Sequence, residues 1–326
     1  TSGNSYESRS GFLKPDYTLF FAGTLTKNLS MFTELEWDDT DEIELQAFGE
    51  WFGGSAQRFY TIRFGQMHTL SRVGWGGFDR PSGISTPDVL SANLTGSPVT
   101  FKIGNDQRGM DVAYNFTPSS RIIAGLYNGM NQVGSGAAGN GQGFGDSDGS
   151  MDALMAFEQM IGESGFTLFG YYGNWAQAAG TKVTVGSVTN TLADSSSATD
   201  FKFYRVGATA SLVFNVFDPK RVGSTELQGG YIYANDLYPD DYPTGEDNRT
   251  ANALWVGLEQ RLPHDSDVFY RYDLIDRSAG TDPQRTRHTV GVVRTVQEYL
   301  RLTAEGFVYD QTANSYGVKI QAMLNF

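Results

Sequence analysis

The stretch Asn314-Ser315-Tyr316-Gly317-Val318-Lys319-Ile320-Gln321-Ala322-Met323-Leu324-Asn325-Phe326 alternates without a break. Asn314, Tyr316, Val318, Ile320, Ala322, Leu324 and Phe326 make one face, and Ser315, Gly317, Lys319, Gln321, Met323 and Asn325 make the other. A period of two is that of a β-strand, because successive side chains leave a pleated backbone on opposite sides. One face is apolar and the other polar. Two settings produce such a strand: the edge of a soluble sandwich, or the wall of a transmembrane barrel, apolar towards lipid and polar towards the lumen.

The same pattern recurs along the chain. Strand-like segments lie near 4–12, 16–27, 29–38, 42–52, 57–67, 106–117, 121–130, 151–162, 165–177, 200–214, 225–236, 252–262, 267–276, 286–296, 300–310 and 314–326, sixteen in all. No long window shows helical periodicity, and no run of about 18 apolar residues exists for a transmembrane helix. From the second strand onward, alternate joins are short, as at Lys27-Asn28, Gly53-Gly54-Ser55, Gly162-Glu163-Ser164 and Pro263-His264-Asp265. The joins between them include the long ones, 68–105, 131–150, 178–199, 237–251 and 277–285. Loop length sorted by parity describes a membrane barrel with periplasmic turns and extracellular loops. The expected fold is therefore all-β: a transmembrane antiparallel up-and-down β-barrel of about sixteen strands, residues 1–326 forming a single domain.

Charge follows the same parity. Tyr60, Ile62 and Phe64 alternate with Thr61, Arg63 and Gly65; Val268, Tyr270, Tyr272 and Leu274 alternate with Phe269, Arg271 and Asp273. An Arg on the lipid side at mid-membrane costs about 2–4 kcal/mol, which explains the segregation. Arg294 breaks it and is expected at the membrane boundary. The segment 165–177 is aromatic on both faces and does not reveal its sides. In hydrocarbon every unpaired backbone group is costly, so the sheet must close. Sixteen strands enclose more space than side chains fill, leaving a wet lumen. Inward Gly65, Gly207, Gly257 and Gly317 are expected to leave room in it. Trp37, Trp51, Trp175 and Tyr299 are expected in interfacial girdles.

The 24 Lys and Arg against 37 Asp and Glu give a net charge of −13, which argues against nucleic-acid binding. With no Cys, disulfides, thiolate metal sites and covalent c-type haem are excluded. His68, His264 and His288 are scattered and read as surface or turn residues. The acidic groups Asp146, Asp148 and Asp152, and Asp236, Asp240, Asp241, Glu246 and Asp247, read as solvated loops, so no metal and no cofactor is expected. No nucleophile–base grouping marks an enzyme. Thr1 opens no basic-then-apolar leader, so the chain is expected to be mature or to lack its true N-terminus.

The loop 68–98 is the longest after the early strands and is rich in Gly, Pro, aromatics and Arg. Long structureless segments in compact proteins are usually functional or disordered. It is expected to fold inward and narrow the lumen. Arg63, Arg72 and Arg80 would then charge a constriction, with Trp75 and Phe78 fixing the loop to the wall.

Two resemblances add to this. The last strand, ending on Phe326, resembles the closing strand of bacterial outer-membrane barrels, which implies a terminal aromatic read as an assembly signal. Arg63-Phe64-Gly65-Gln66-Met67, then Asn105-Asp106-Gln107-Arg108-Gly109-Met110-Asp111, then Ala124-Gly125-Leu126-Tyr127-Asn128-Gly129 resemble the phosphate-selective (O/P-type) porins over residues 16–130. The resemblance implies a porin in the outer membrane of a Gram-negative bacterium. That family's selectivity rests on a ladder of inward Arg and a Lys cluster. Here the inward charges mix signs, among them Glu34, Glu259 and Glu305 against Arg261, Arg271, Arg301 and Lys319. The expected function is passive diffusion of small hydrophilic solutes or ions. Its partners are outer-membrane lipid, those solutes and, in one arrangement, two further copies in a homotrimer. The alternative is a barrel sheathing a periplasmic or lumenal multihaem cytochrome, which would supply every haem.

Overall fold

The computed structural model describes residues 17–37, 43–69, 83–97, 99, 101–104, 106–128, 151–177, 182–185, 188–191, 199–217, 222–239, 247–278, 283–296, 300–310 and 315–324. The described residues begin with β1 (Tyr17–Thr26), β2 (Leu29–Trp37), β3 (Ile43–Gly54) and β4 (Phe59–His68). A four-residue helix, α1 (Asp88–Ser91), precedes β5 (Asp106–Thr117), β6 (Ser120–Tyr127), β7 (Asp152–Ile161) and β8 (Ser164–Gln177). A short hairpin, β9 (Lys182–Val185) and β10 (Val188–Thr191), leads to β11 (Thr199–Phe214) and β12 (Thr225–Leu237). The chain continues through β13 (Asn248–Leu262), β14 (Ser266–Arg277), β15 (Gln284–Val296), β16 (Leu300–Asp310) and β17 (Ser315–Leu324).

Among the described residues, all strands except β9 and β10 form one 15-stranded sheet in which each pairs antiparallel with the next sheet strand along the chain. These fifteen match the expected segments from 16–27 onward; the expected first segment, 4–12, lies outside the described residues. The hairpin was not expected: 178–199 reads as a loop, because four-residue strands are too short to show a period. Short connections such as 27–28, 118–119, 162–163 and 263–265 all fall at one rim, and the long ones at the other. The 263–265 turn is tight enough to place His264 and Asp265 at φ 64° and 52°, the left-handed pair that closes a right-twisted hairpin.

The sheet is inside-out relative to a soluble protein. One face is apolar and exposed: Phe64, Met110, Leu126, Met155, Leu168, Val206, Val290 and Ile320 lie on it, Val290 at 61% and Ile320 at 81% exposure. The other face carries the buried charge, including Arg63, Asp111, Glu158, Arg205, Arg271, Asp273 and Glu305. It is the inner face. The fifteen-strand meander, its apolar outer face and its sorted loops are the fold of a transmembrane up-and-down β-barrel. Arg294 pairs with Ser266, the first residue after a short turn, so it sits at the rim. The segment 165–177 resolves cleanly, with Phe169, Tyr171 and Trp175 buried inside and Leu168 and Tyr172 exposed outside.

Two expectations need correction. Trp175 belongs to the inner face and is buried, not to an interfacial girdle. Trp51 does face outward near a short turn, its ring 5.3 Å from Tyr60; the side chain of Trp37 and all of Tyr299 lie outside the described residues. Of the inward glycines, moreover, Gly207, Gly257 and Gly317 do not hold water space. Gly207 pairs with Phe169, and Gly317 with Phe307, and each ring lies where the glycine's Cβ would be. Gly291 and Phe269 do the same. A ring laid across a bare glycine covers backbone and fixes register. At Gly257 the Trp255 ring comes near in the same way. Gly65 is different: at φ 134° it adopts a backbone that side chains oppose, beside Phe48 on β3.

Candidate functional site: an inward segment held by charged strands

The connection between β4 and β5 does not stay at the rim. Residues 83–97 hydrogen-bond to inner-face side chains of β12 to β17. At its start, the Ile84 and Ser85 amides donate to Glu305 Oε2 at 2.8 and 3.1 Å, and the Ser85 hydroxyl donates to Glu305 Oε1. Lys319 Nζ donates to Ser85 Oγ at 3.0 Å, and Arg271 Nη1 donates to the Ser85 carbonyl at 2.7 Å. In the middle, the Asp88 amide donates to Asp273 Oδ1 at 3.1 Å. The Asp88 carboxylate pairs with Arg285 at 2.9 Å and Arg287 at 3.1 Å and accepts from Tyr309. At its end, Thr95 and Ser97 donate to Asp236, Arg277 donates to the Leu94 and Asn93 carbonyls, and Arg249 donates to the Gly96 carbonyl at 2.7 Å.

The segment suits this position chemically. Its backbone cannot join the sheet, so inside a barrel its amides and carbonyls need other partners. Acidic residues on the wall take the amides and hydroxyls, and arginines take the carbonyls. α1 is too short to have an apolar stripe, yet Val89 and Leu90 are buried where it packs on β13 and β14. Further on, Phe101 stacks 4.7 Å from Tyr171 and 4.6 Å from Phe203, with the Arg205 guanidinium 5.7 Å from its ring centre. One short stretch thus touches the same face of strands from β8 to β17, so those strands wrap around it.

Several inner-face charges also pair with one another, including some that hold the segment. Arg63 binds Asp111 at 2.7 Å, and Tyr127 donates to the same carboxylate. Arg121 binds Glu158. Arg205 binds Asp236 at 2.6 Å, and Arg271 binds Asp273 at 2.9 Å. A cleft of about 420 Å³ remains between the segment and β15 to β17, bordered by Ser85, Asp88, Arg285, Arg287, Tyr309 and Lys319.

Of the residues expected at a constriction, Arg63 is a buried wall residue on β4, and Arg72, Trp75, Phe78 and Arg80 lie outside the described residues. Phe326 also lies outside them. Of the expected lumen charges, Arg271 and Glu305 are covered by the segment, while Arg261, Arg301 and Lys319 are exposed and Glu34 and Glu259 half-exposed. Asp152 and Asp236, read from sequence as parts of solvated acidic loops, are buried strand residues: Asp152 accepts from Tyr171 at 2.6 Å and Asp236 binds Arg205. Among the described residues no group of acidic and His side chains could hold a metal ion. Sequence reasoning missed Asp88, Asp236, Asp273, Arg249, Arg277 and Arg287. Inward parity marked one of them, Asp273, but only as a generic inward residue.

No protein-family model matches the chain, that of the phosphate-selective porins included, and no curated protein sequence matches it. Solved structures do. The fold is similar to that of OprB of Pseudomonas putida, at 10% identity with a TM-score of 0.59 over 91% of this chain and 83% of that one. It is similar to the anion-selective porin of Comamonas acidovorans, at 14% identity with a TM-score of 0.58 over 95% of this chain and 84% of that one. The trimer form of Vibrio cholerae OmpT, an outer membrane protein, matches at 13% identity with a TM-score of 0.58 over 91% of this chain and 80% of that one. At these identities the likeness is one of fold.

Proposed function

We propose that this chain is a porin of the Gram-negative outer membrane, passing small hydrophilic solutes or ions by diffusion. The observation that carries the reading is the uneven covering of the inner face. On β5 to β16 it is mostly buried, from β8 onward against the inward segment, whereas on β1 to β3 it stays accessible: Ala22 and Thr24 are exposed, and Ser30, Glu34 and Glu50 are half-exposed. Lys319 on β17 is exposed as well. A polar wall kept in contact with water, opposite a segment that narrows the bore, is what a diffusion channel needs. The structural likeness to the anion-selective porin supports this, and the trimer form of the outer membrane protein OmpT supports a homotrimer. The constriction would be formed by the segment together with Arg285, Arg287 and Lys319. Mixed charges across it set a transverse field that orients polar solutes and gives a modest ion preference. Nothing favours the cytochrome sheath, since the chain's own segment already lies where a protein plug would sit.

Planar-bilayer recordings test the reading. Purified protein should give discrete conductance steps in KCl, with a reversal potential under a salt gradient that reports the weak preference. A barrel that inserts but never conducts would refute it. Sedimentation in detergent should give the mass of three chains.

A further inference from the structure

The inner-face rings of β8, β11, β13 and β14 are buried beneath the segment, but three rings on the accessible side are not arranged that way. Phe32 pairs directly with Phe48, their ring centres 5.3 Å apart. Phe20 lies diagonally across from Phe32 at 6.1 Å. All three share the inner parity: Phe20 pairs with Glu34, Ala22 with Phe32, and Phe48 with Gly65. Phe20 is 62% exposed, and Phe32 and Phe48 are half-exposed. The outcome is an aromatic row running across β1, β2 and β3 on a wall whose other side chains are mostly polar, Ala22 and, nearer the short turn, Phe52 excepted. It ends at Arg63, whose guanidinium lies 5.5 Å from the Phe48 ring centre and is held by Asp111.

Polar groups flank the row on both sides. Ser30 pairs with Glu50 on one side, and Glu34 with Gln46 on the other. Inward residues two apart on a strand are about 6.6 Å apart, so each ring has oxygen and nitrogen groups roughly that far to either side. Gly65 puts no side chain beside Phe48, leaving that end of the row low.

We propose that Phe20, Phe32 and Phe48 form a binding track for neutral ring solutes carrying hydroxyl groups, that is, pyranose sugars. This deepens the porin reading and rests on it. A pyranose has a face of polarised C–H groups and a rim of hydroxyls. The C–H face is attracted to the negative face of an aromatic ring. The rim hydroxyls then reach the flanking carboxylate, amide and hydroxyl groups. Water contacts a ring face without hydrogen-bonding to it, so a sugar that covers the face releases that water while its hydroxyls stay hydrogen-bonded. Successive rings let a solute move from one to the next without leaving the wall.

The test is current block of single channels in KCl, with maltotriose as probe and sorbitol, which has hydroxyls but no ring, as control. Maltotriose should block saturably, and sorbitol at equal concentration should lower the current only through viscosity. In Phe20→Ser/Phe32→Ser, with each current normalised to that variant's own open level, the half-blocking concentration should rise about tenfold. Phe20→Tyr keeps a ring and should keep the block. Equal effects of the two probes, or a block that survives the double substitution, would overturn the track. Stronger block by phenyltrimethylammonium than by maltotriose would also overturn it, because the neighbouring carboxylates would then be selecting for charge. If the wild-type channel conducts KCl, the porin reading stands whatever the sugar does.

Discussion

Glu305→Ala should free the start of the inward segment and raise conductance. The carboxylate accepts from the Ile84 and Ser85 amides and the Ser85 hydroxyl, and lies 3.8 Å from Arg287. At 2% exposure it has almost no water to replace it. Each buried donor left without an acceptor costs about 1–3 kcal/mol, so three of them cost on the order of 3–9 kcal/mol if nothing moves. The segment can move. Its release rehydrates those donors, and the ladder of β16 is untouched because its backbone bonds do not involve the carboxylate. The loss is therefore a local opening, and the barrel itself stays as stable as before. Glu305→Gln keeps an acceptor but loses the charge assistance, so it should give a smaller effect. The assay is single-channel conductance in KCl, with heat-induced unfolding in detergent as the check on the barrel. Glu305→Ala should show a higher mean conductance, more open-channel noise and the wild-type unfolding temperature. If conductance is unchanged both in Glu305→Ala and in Glu305→Ala/Asp236→Ala, the segment does not govern the bore.

Other substitutions probe the fold and the wall. Val290→Arg places a charge at the centre of the outer face of β15 and should cost about 2–4 kcal/mol of folding into lipid vesicles. Ala22→Arg, exposed on the inner face, should fold like the wild type while shifting the reversal potential towards anions. Gly317→Ala drives a methyl into the Phe307 ring and should cost about 1–3 kcal/mol in denaturant unfolding, with much of the loss recovered in Gly317→Ala/Phe307→Leu. Asp236→Ala leaves the buried Arg205 without its carboxylate and should cost about 3–5 kcal/mol; Arg205→Met/Asp236→Leu should recover most of it.

The strands were legible because their signal is local. Whether Tyr270 faces lipid and Arg271 the interior follows from parity alone, and burial agrees at both. The segment 165–177 hid its sides because Phe169 and Tyr171 are aromatic for reasons that lie elsewhere: Phe169 covers Gly207 on β11, and Phe101, brought in by another part of the chain, stacks on Tyr171. Asp236 was misread for a similar cause. At the end of a strand and next to further acids it looks like part of a solvated loop, and only Arg205, Thr95 and Ser97 reveal it as a buried anchor.

By itself the sequence determined the strands, their facing and the rim that bears the long loops, since a period of two and the length of a turn are properties of neighbouring residues. Tertiary structure alone decided which charges stay in water and which hold the segment. Ile84 meets Glu305 across 221 positions of chain, and no local pattern encodes that distance. It arises because a curved sheet brings opposite walls within reach of one loop, whose backbone polar groups must find partners there.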